Sequence, residues 1–439
     1  MLIINETCNI CKSTDWHDLD YLRNWQVWYD TEKRNEGEPV GFKICKSCGF
    51  ITYDYLDQER LNHLYYLERP AVRSMNVITS NRKNEYHKAF FYKSPEFREK
   101  IMQDNCTIID VGCAQGSMLS MLNSYYDVDK KNLYGIEINT PYVAFARGEY
   151  GLDVSVQWPK GIRYDIISYY HVLEHLQYPE KALQEAKERL KDNGIMYISV
   201  PYWLDILQNF DGSMAIDYEN TYHLNHINVF TVNSFKNLLN ISGLEIIQED
   251  YDYYAYTVMV KKGETRPIQT EDWQFNVKRL ETEKTAMQLV NSQKYDEALQ
   301  LVPKYPDAYI MKSLYKDNIK SFDVQVKILT EGLKHTPNDS KLIMQLAKVY
   351  FQWDESKSGE ALIMTNNVLQ AEKYFKRCLE LKPGNEDSLY FLAVIAARYR
   401  KEYGKACELL NDVIKINPTR YAETIDLKGN FRREQAKIN

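Results

Sequence analysis

Three groups of residues in this 439-residue chain combine side chains at spacings that can do chemistry. The first is a pair of CxxC knuckles, Cys8/Cys11 and Cys45/Cys48, separated by 33 residues. Each knuckle can present two thiolates to one metal ion, and two knuckles close a tetrahedral four-cysteine zinc site with no open position for catalysis. A redox role fits less well, because two matched pairs are present and neither opens a βα unit. The second group is Asp110-Val-Gly112-Cys113-Ala114-Gln-Gly116, with Glu137 lying 21 residues past Gly116. Glycines of this kind let backbone approach a ligand at a helix N-terminus, and an acidic residue about 20 positions later can grip the two hydroxyls of a ribose. A dinucleotide satisfies that pattern as well as any other nucleoside cofactor. The third group is histidine-rich: His171-Val-Leu-Glu174-His175, and Tyr222-His223-Leu-Asn225-His226. Imidazole titrates near neutrality and suits proton transfer.

These groups require a particular scaffold. Residues 107–111 are an apolar run that reads as a buried strand, and Met118, Leu119, Met121 and Leu122 follow the glycine turn at helical spacing. A short strand over 133–136 delivers Glu137. A helix over 141–150 and a strand over 153–156 come next. The strand that starts at Tyr164-Asp165 ends at His171, which puts a polar group at the carboxyl edge of a parallel sheet, where ligands bind. Glu174 and His175 open the following helix, as caps or as a pocket wall. That helix, 180–190, stops at the chain reversal Lys191-Asp192-Asn193-Gly194. A strand over 195–200 ends at Pro201, and 202–221 is long enough to cover a substrate. A helix over 234–239 and strands over 244–250 and 254–261 complete the pattern. The fold class is therefore α/β, a seven-stranded doubly wound Rossmann-like sheet ending in an antiparallel pair. Residues 57–103 supply two or three helices over the first strands.

The spacing D-x-G-x-A-x-G with the later Glu resembles motifs I and II of class I S-adenosylmethionine-dependent methyltransferases. The resemblance implies that Asp110 orients the turn and the methionine amino group. It gives Gly112, Cys113, Ala114 and Gly116 the rest of the cofactor, Glu137 and Ile138 the ribose, and Gln157 the adenine edge. His171 lines the same pocket. The family has Gly where this chain has Ala114, and Ala fits there only with a negative φ. The string HVLEH followed by Tyr178-Pro179 matches the family's motif after the fourth strand. Together with the cysteine knuckles and the trailing Cys48-Gly-Phe-Ile-Thr-Tyr-Asp-Tyr, residues 1–260 are similar to bacterial methyltransferases that carry an N-terminal zinc ribbon and act on sugars. In that group a segment like Tyr-x-Glu-His-x-x-Tyr-Phe-Ser holds the histidine that takes the acceptor's proton. Position by position that histidine is His226, the usual Glu is Asn225 and the usual Tyr is His223, an alternative base. Tyr65, Tyr222, Asn225 and Glu174 are then candidates for the acceptor pocket. A His-rich turn that merely caps the next helix through Thr231 is the competing reading.

The remainder of the chain is helical and repetitive. An aromatic or apolar residue followed three positions later by a small one recurs at Tyr295/Ala298, Val368/Ala371 and Tyr403/Ala406, with a degenerate copy at Phe322/Gln325. Pro337, Pro383 and Pro418 close three units, with an insertion around 354–366. This resembles tetratricopeptide repeats, whose concave face binds peptides or proteins; a helical cap that only stabilises the enzyme or its dimer is the alternative. Cys378 and Cys407 read as core residues. The domains are thus 1–65, zinc ribbon; 66–262, methyltransferase with capping helices; 263–280, linker; and 281–439, repeats.

Composition narrows the function classes. Residues 281–439 hold 25 Lys+Arg against 22 Asp+Glu, while 1–280 hold 30 against 39. An acidic catalytic portion argues against nucleic acid, which needs a basic face. No apolar run reaches about 18 residues, and the N-terminus lacks a signal-peptide core. The expectation is a cytoplasmic protein, its cysteines metal ligands or core fillers and not disulfides. The expected activity is methylation of a sugar hydroxyl, less favourably a sugar carbon, in a nucleotide-linked or glycan substrate, with S-adenosylmethionine as cofactor and structural Zn2+. Alternatives are a small non-sugar metabolite, a protein recruited by the repeats, or a non-catalytic cofactor-binding scaffold. A homo-oligomer is compatible with all of them.

Overall fold

The computed structural model describes residues 2–4, 6–19, 42–53, 55–57, 74–201, 226–251, 255–316, 318–355 and 364–438. They fall into two compact units. One takes the described residues of 1–72, 90–208 and 216–281, the other those of 73–89 and 282–439.

In the first unit the chain begins with β1 (Leu2–Ile4), β2 (Trp16–Asp18), β3 (Phe42–Cys45), β4 (Ile51–Tyr53) and β5 (Tyr55–Asp57). The last turn of helix α1 (Ser74–Lys93) and helix α2 (Pro95–Ile101) lead into β6 (Ile108–Val111), α3 (Ser117–Tyr126), β7 (Leu133–Ile136), α4 (Thr140–Tyr150), β8 (Asp153–Ser155) and β9 (Tyr164–Tyr170). Then follow α5 (Pro179–Arg189), β10 (Leu190–Pro201), β11 (Asn228–Val229), α6 (Val232–Ile241), β12 (Leu244–Tyr251), β13 (Ala255–Lys262) and α7 (Trp273–Asn291).

The main sheet has seven strands in the order β12-β13-β10-β9-β6-β7-β8. Strands β10, β9, β6, β7 and β8 run parallel, and β13 pairs antiparallel with both β10 and β12. The central strands are buried almost without alternation, as in β9, where only Tyr170 is not fully buried. Phe90, Phe91 and Phe97 join Leu119, Leu122, Ile166 and Tyr197 in one core under the first half of the sheet. This is the Rossmann-like sheet that the sequence requires.

One expectation is corrected. Lys191-Asp192-Asn193-Gly194 is not a clean reversal but a bulge within β10: Leu190 pairs with Tyr164 and Ile195 with Ile166, so extra residues loop out of one strand. Lys191 Nζ and Asp192 are engaged there by Asp165 and Lys262, at 2.6 and 3.0 Å. Residues 263–280, expected as a linker, are anchored along part of their length. Asn237 and Gln269 exchange two hydrogen bonds, Glu271 accepts from Thr231 Oγ1 at 3.1 Å, and α7 begins at Trp273.

A second sheet of four strands, β11-β4-β3-β2, carries Cys45 at the end of β3 and Cys48 in the turn to β4. Its outer strand β11 comes from the far side of the sequence: Asn228 pairs with Thr52 and Val229 with Ile51. Thr52 Oγ1 and Tyr53 N–H both donate to the Ile227 carbonyl, at 2.9 and 3.3 Å.

The second unit is all helical: α8 (Tyr295–Leu301), α9 (Pro306–Ser313), α10 (Phe322–His335), α11 (Ser340–Glu355), α12 (Asn366–Leu381), α13 (Glu386–Arg400), α14 (Tyr403–Ile416) and α15 (Tyr421–Ile438). Tyr295, Ala298, Val368, Ala371, Tyr403 and Ala406 are all buried, as is Cys378. The first turns of α1 belong to this unit: Asn81 Nδ2 donates to the carbonyls of Lys415 and Ile416, and Arg82 pairs with Glu386, which also accepts from Asn417. No helix among the described residues is long and apolar enough to cross a membrane.

Candidate active site

The glycine turn leaves β6 at the carboxyl edge of the parallel strands. Gly112 and Gly116 have φ of +74° and +76°, and a Cβ on either would come within 2.5 Å of Val172 or 2.7 Å of Leu152. Glycine is therefore required at both positions for conformation and for space. The backbone N–H groups of Gly112 and Cys113 donate to the Ile136 carbonyl at 2.8 and 3.0 Å, which ties the turn to the end of β7.

Ala114 corrects the expectation of a negative φ: it sits at φ +46°. A non-glycine residue in that region costs about 1–2 kcal/mol, and the compensation is visible. The Ala114 N–H donates to Glu137 Oε2 at 2.9 Å, and Asn139 N–H donates to Glu137 Oε1 at 2.8 Å. Glu137 thus holds the turn in shape. Each of its oxygens accepts one backbone donor and retains a lone pair for a ligand hydroxyl.

Asp110, next to last in β6, is 5% exposed and accepts a 2.6 Å hydrogen bond from Ser168 Oγ on β9. Burial pushes its carboxyl up to about 7, against the Ser168 bond, with the nearby Glu137 charge adding to the rise. A cation placed beside it would restore the carboxylate. Gln115 is 7% exposed, and its Nε2 finds no hydrogen-bond partner among the described residues. An orphaned buried donor in a ligand-binding turn implies an acceptor on the ligand, and spacing alone gave no reason to single it out. Ile138 is 44% exposed and offers an apolar face. Cys113 is buried and its sulfur lies where a Gly135 side chain would be, so it can reach a ligand only through backbone. Gln157 is exposed just past β8, on the next strand across. These residues fit a nucleoside cofactor bearing a cationic amine and an acceptor group.

The histidine cluster lies one strand away, at the end of β9. His171 adopts φ +56°, a left-handed conformation uncommon for a side chain of its size and typical of functional sites, and its N–H is anchored to the Ser199 carbonyl at 2.9 Å. A short 3-10 turn, Leu173–His175, follows. Glu174 does not cap the next helix, whose N-cap is Tyr178. It is 1% exposed, and its Oε1 lies 3.7 Å from His171 Nδ1 and 3.6 Å from His175 Nε2. The His175 ring faces His226, centroids 4.8 Å apart. Asn228 holds the two segments together: its Nδ2 donates to the carbonyls of Leu173 and Leu176 at 3.1 and 2.6 Å. Tyr65, Tyr222, His223 and Asn225 lie outside the described residues. Thr231 does form a capping box with Ser234 at the start of α6.

The four cysteines converge as their spacing requires. Sγ of Cys8 and Cys48 are 3.6 Å apart and those of Cys11 and Cys45 3.4 Å apart, while a tetrahedral zinc–thiolate centre with bonds of about 2.3 Å needs sulfurs about 3.8 Å apart. Mutual thiol hydrogen bonds, from Cys48 to Cys45 and from Cys8 to Cys11, pull Cys45 and Cys11 below the usual thiol range. The donor set fits a closed metal centre. The knuckle also abuts the histidine segment: Asn9 Nδ2 donates to the Gln177 carbonyl at 2.8 Å and Lys12 pairs with Glu180 at 2.6 Å.

Residues 79–249 match the family model described as "Methyltransferase domain". Among curated proteins, the mitochondrial ubiquinone biosynthesis O-methyltransferase of Candida albicans is 27% identical over 115 residues, 23% of this chain and 35% of that one. An uncharacterized protein of Methanocaldococcus jannaschii is 25% identical over 170 residues, 37% of this chain and 61% of that one. The chain thus spans about a third and three fifths of the length of these two relatives. Among solved structures, the plantazolicin methyltransferase BpumL with SAH aligns at TM-score 0.33 and 15% identity, covering 46% of this chain and 94% of its own. An S-adenosylmethionine-dependent methyltransferase from Clostridium acetobutylicum aligns at TM-score 0.31 and 12% identity, covering 47% and 97%. The glycine turn and strands β6 to β10 lie within the matched stretch, so residues 79–249 are similar to a methyltransferase domain.

Proposed function

We propose that the chain transfers a methyl group from S-adenosylmethionine to a hydroxyl of a sugar carried on a nucleotide or glycan. The observation that carries this reading is the junction of the strained glycine turn, braced by Glu137, with the histidine cluster on the adjacent strand end. In this reading Asp110 meets the methionine ammonium, the 112–116 backbone and Gln115 hold the rest of the amino acid, and Glu137 takes the ribose. Ile138 and Gln157 border the adenine. The cofactor supplies an electrophilic methyl on sulfur. The protein's own task is to orient the acceptor in line and remove one proton. We assign that proton to His226, with His175 at its ring face and the buried Glu174 behind; His223 and His171 are the alternative bases. Support for oxygen over carbon comes from the Candida relative, which is named an O-methyltransferase. Cys8, Cys11, Cys45 and Cys48 would hold structural zinc, and the helices of 281–439, read as tetratricopeptide-like repeats, would recruit a protein partner or the glycan carrier.

The test is mass spectrometry of the purified chain incubated with labelled cofactor and a panel of nucleotide sugars and glycans, scored for the gain of one methyl group. Calorimetric titration with S-adenosylmethionine separates an enzyme from a scaffold: no binding refutes the reading. His226→Ala should lose turnover and keep cofactor affinity, and full turnover in that variant overturns the base assignment. A second reading, a small non-sugar metabolite as acceptor, is favoured by the same Candida relative, which is named for ubiquinone biosynthesis. Small non-sugar metabolites belong in the panel for that reason.

A further inference from the structure

We propose that Glu174, His175 and His226 form a binding site for a first-row divalent cation, separate from the four-cysteine centre. One ligand atom from each of the three residues can be chosen so that all lie within 4.8 Å of one another. Metal–nitrogen and metal–oxygen bonds of about 2.0–2.2 Å put neighbouring tetrahedral ligands about 3.3 Å apart. The Glu174 Oε1 to His175 Nε2 separation is 3.6 Å, so that edge is already close to the required length, and a His226 nitrogen lies within the same 4.8 Å bound.

The scaffold is built for such a contact. Glu174 is a buried carboxylate, and carboxylates in that position are paired or coordinate metals. Glu174 and His175 are fixed by the short turn after β9. His226 comes from a segment 51 residues further on, and Asn228 clamps that segment to the carbonyls on either side of the turn. The Ile227 carbonyl is held from the opposite side by Thr52 and Tyr53. The three donors therefore meet through two hydrogen-bonded anchors, which limits how far His226 can drift from the other two.

The donor chemistry names the ion class. Two imidazoles and one carboxylate suit zinc, iron(II), cobalt(II) or nickel(II), whereas four thiolates select zinc. Three protein ligands leave a coordination position open, which a hydroxyl or carboxylate oxygen of a small molecule can fill. Occupancy also consumes a ring nitrogen lone pair of His226. A metal-loaded His226 cannot also act as the base, so an occupied site would pass the proton in the proposed methyl transfer to another group, while metal stoichiometry reads the site without reference to turnover.

The experiment is metal stoichiometry on the full chain. After saturation with zinc and desalting, inductively coupled plasma mass spectrometry should find two equivalents per chain. Substitution with cobalt(II) should give thiolate charge-transfer absorption from the cysteine centre and, for the second equivalent, only weak visible bands of a nitrogen–oxygen site. Glu174→Gln, His175→Ala and His226→Gln should each weaken the second equivalent by roughly 100-fold, while the charge-transfer band of the first persists and reports that the chain is folded. His226→Gln, at a half-buried position, guards against misfolding of the buried-site variant. A single equivalent in the unmodified chain, or a second equivalent unaffected by all three substitutions, overturns the proposal.

Discussion

The cysteine centre should control the histidine cluster, and the size of that control can be worked from the contacts. Strand β11, two residues past His226, is the outer strand of the sheet that contains Cys45. It is held there by Thr52 Oγ1 and Tyr53 N–H on the Ile227 carbonyl, and by the Phe50 and Phe230 rings with centroids 5.7 Å apart. Two net hydrogen bonds at about 1 kcal/mol each and one aromatic pair at about 1 kcal/mol give about 3 kcal/mol. A structural zinc contributes on the order of 10 kcal/mol to a small fold, so its removal should melt β2 to β4 and release that grip. The expected result of chelation, or of Cys45→Ala, is a rise of roughly 100-fold in amide hydrogen exchange over 227–230, since 1.4 kcal/mol is tenfold. Cofactor affinity should change little, because the glycine turn and Glu137 are braced within the large sheet. Mass-spectrometric hydrogen exchange with a parallel cofactor titration measures both. Unchanged protection at 227–230 after metal loss would refute the reasoning, and so would loss of cofactor binding before any change in those amides.

Three other outcomes follow from the turn. Ala114→Gly should raise stability by about 1 kcal/mol, seen as a melting rise of a few degrees, because the left-handed φ no longer meets a Cβ; a drop would mean the residue is not strained. Gln115→Leu should leave melting nearly unchanged and weaken S-adenosylmethionine at least roughly tenfold, the effect of one lost buried hydrogen bond, and unaltered affinity would remove Gln115 from the cofactor site. For Asp110, the folded carboxyl is raised from 3.8 to about 7, so the native state holds a proton that the unfolded chain releases. Stability of the cofactor-free protein should therefore fall as pH rises from about 4 to about 7, by up to about 4 kcal/mol from this group. An ammonium beside Asp110 reverses the penalty, so cofactor-induced stabilisation should be larger at pH 8 than at pH 5.5, and the opposite order would contradict the assignment.

Much of this was legible because the signals are local. The strand over 107–111, the glycine turn and the cysteine knuckles each carry their cause within a dozen residues. What was not legible depends on distant partners. The positive φ of Ala114 is tolerated because Glu137, 23 residues on, accepts its N–H. Glu174 reads as a helix cap until the fold buries it between two histidines. Nothing near Asn228 announces that it extends a sheet whose other strands end at Tyr53, and residues 263–280 look like linker because the amide of Asn237 that binds Gln269 lies 32 residues upstream.

The pairing of Arg82 with Glu386 spans 304 residues of chain. A ribosome adding about 5–20 residues per second would need roughly 15–60 s to deliver the second partner after the first. For that interval the early turns of α1 have emerged and their docking surface does not yet exist, although the whole seven-stranded sheet is made meanwhile. Nascent chains stalled before residue 386 should accordingly be the ones that molecular chaperones hold longest.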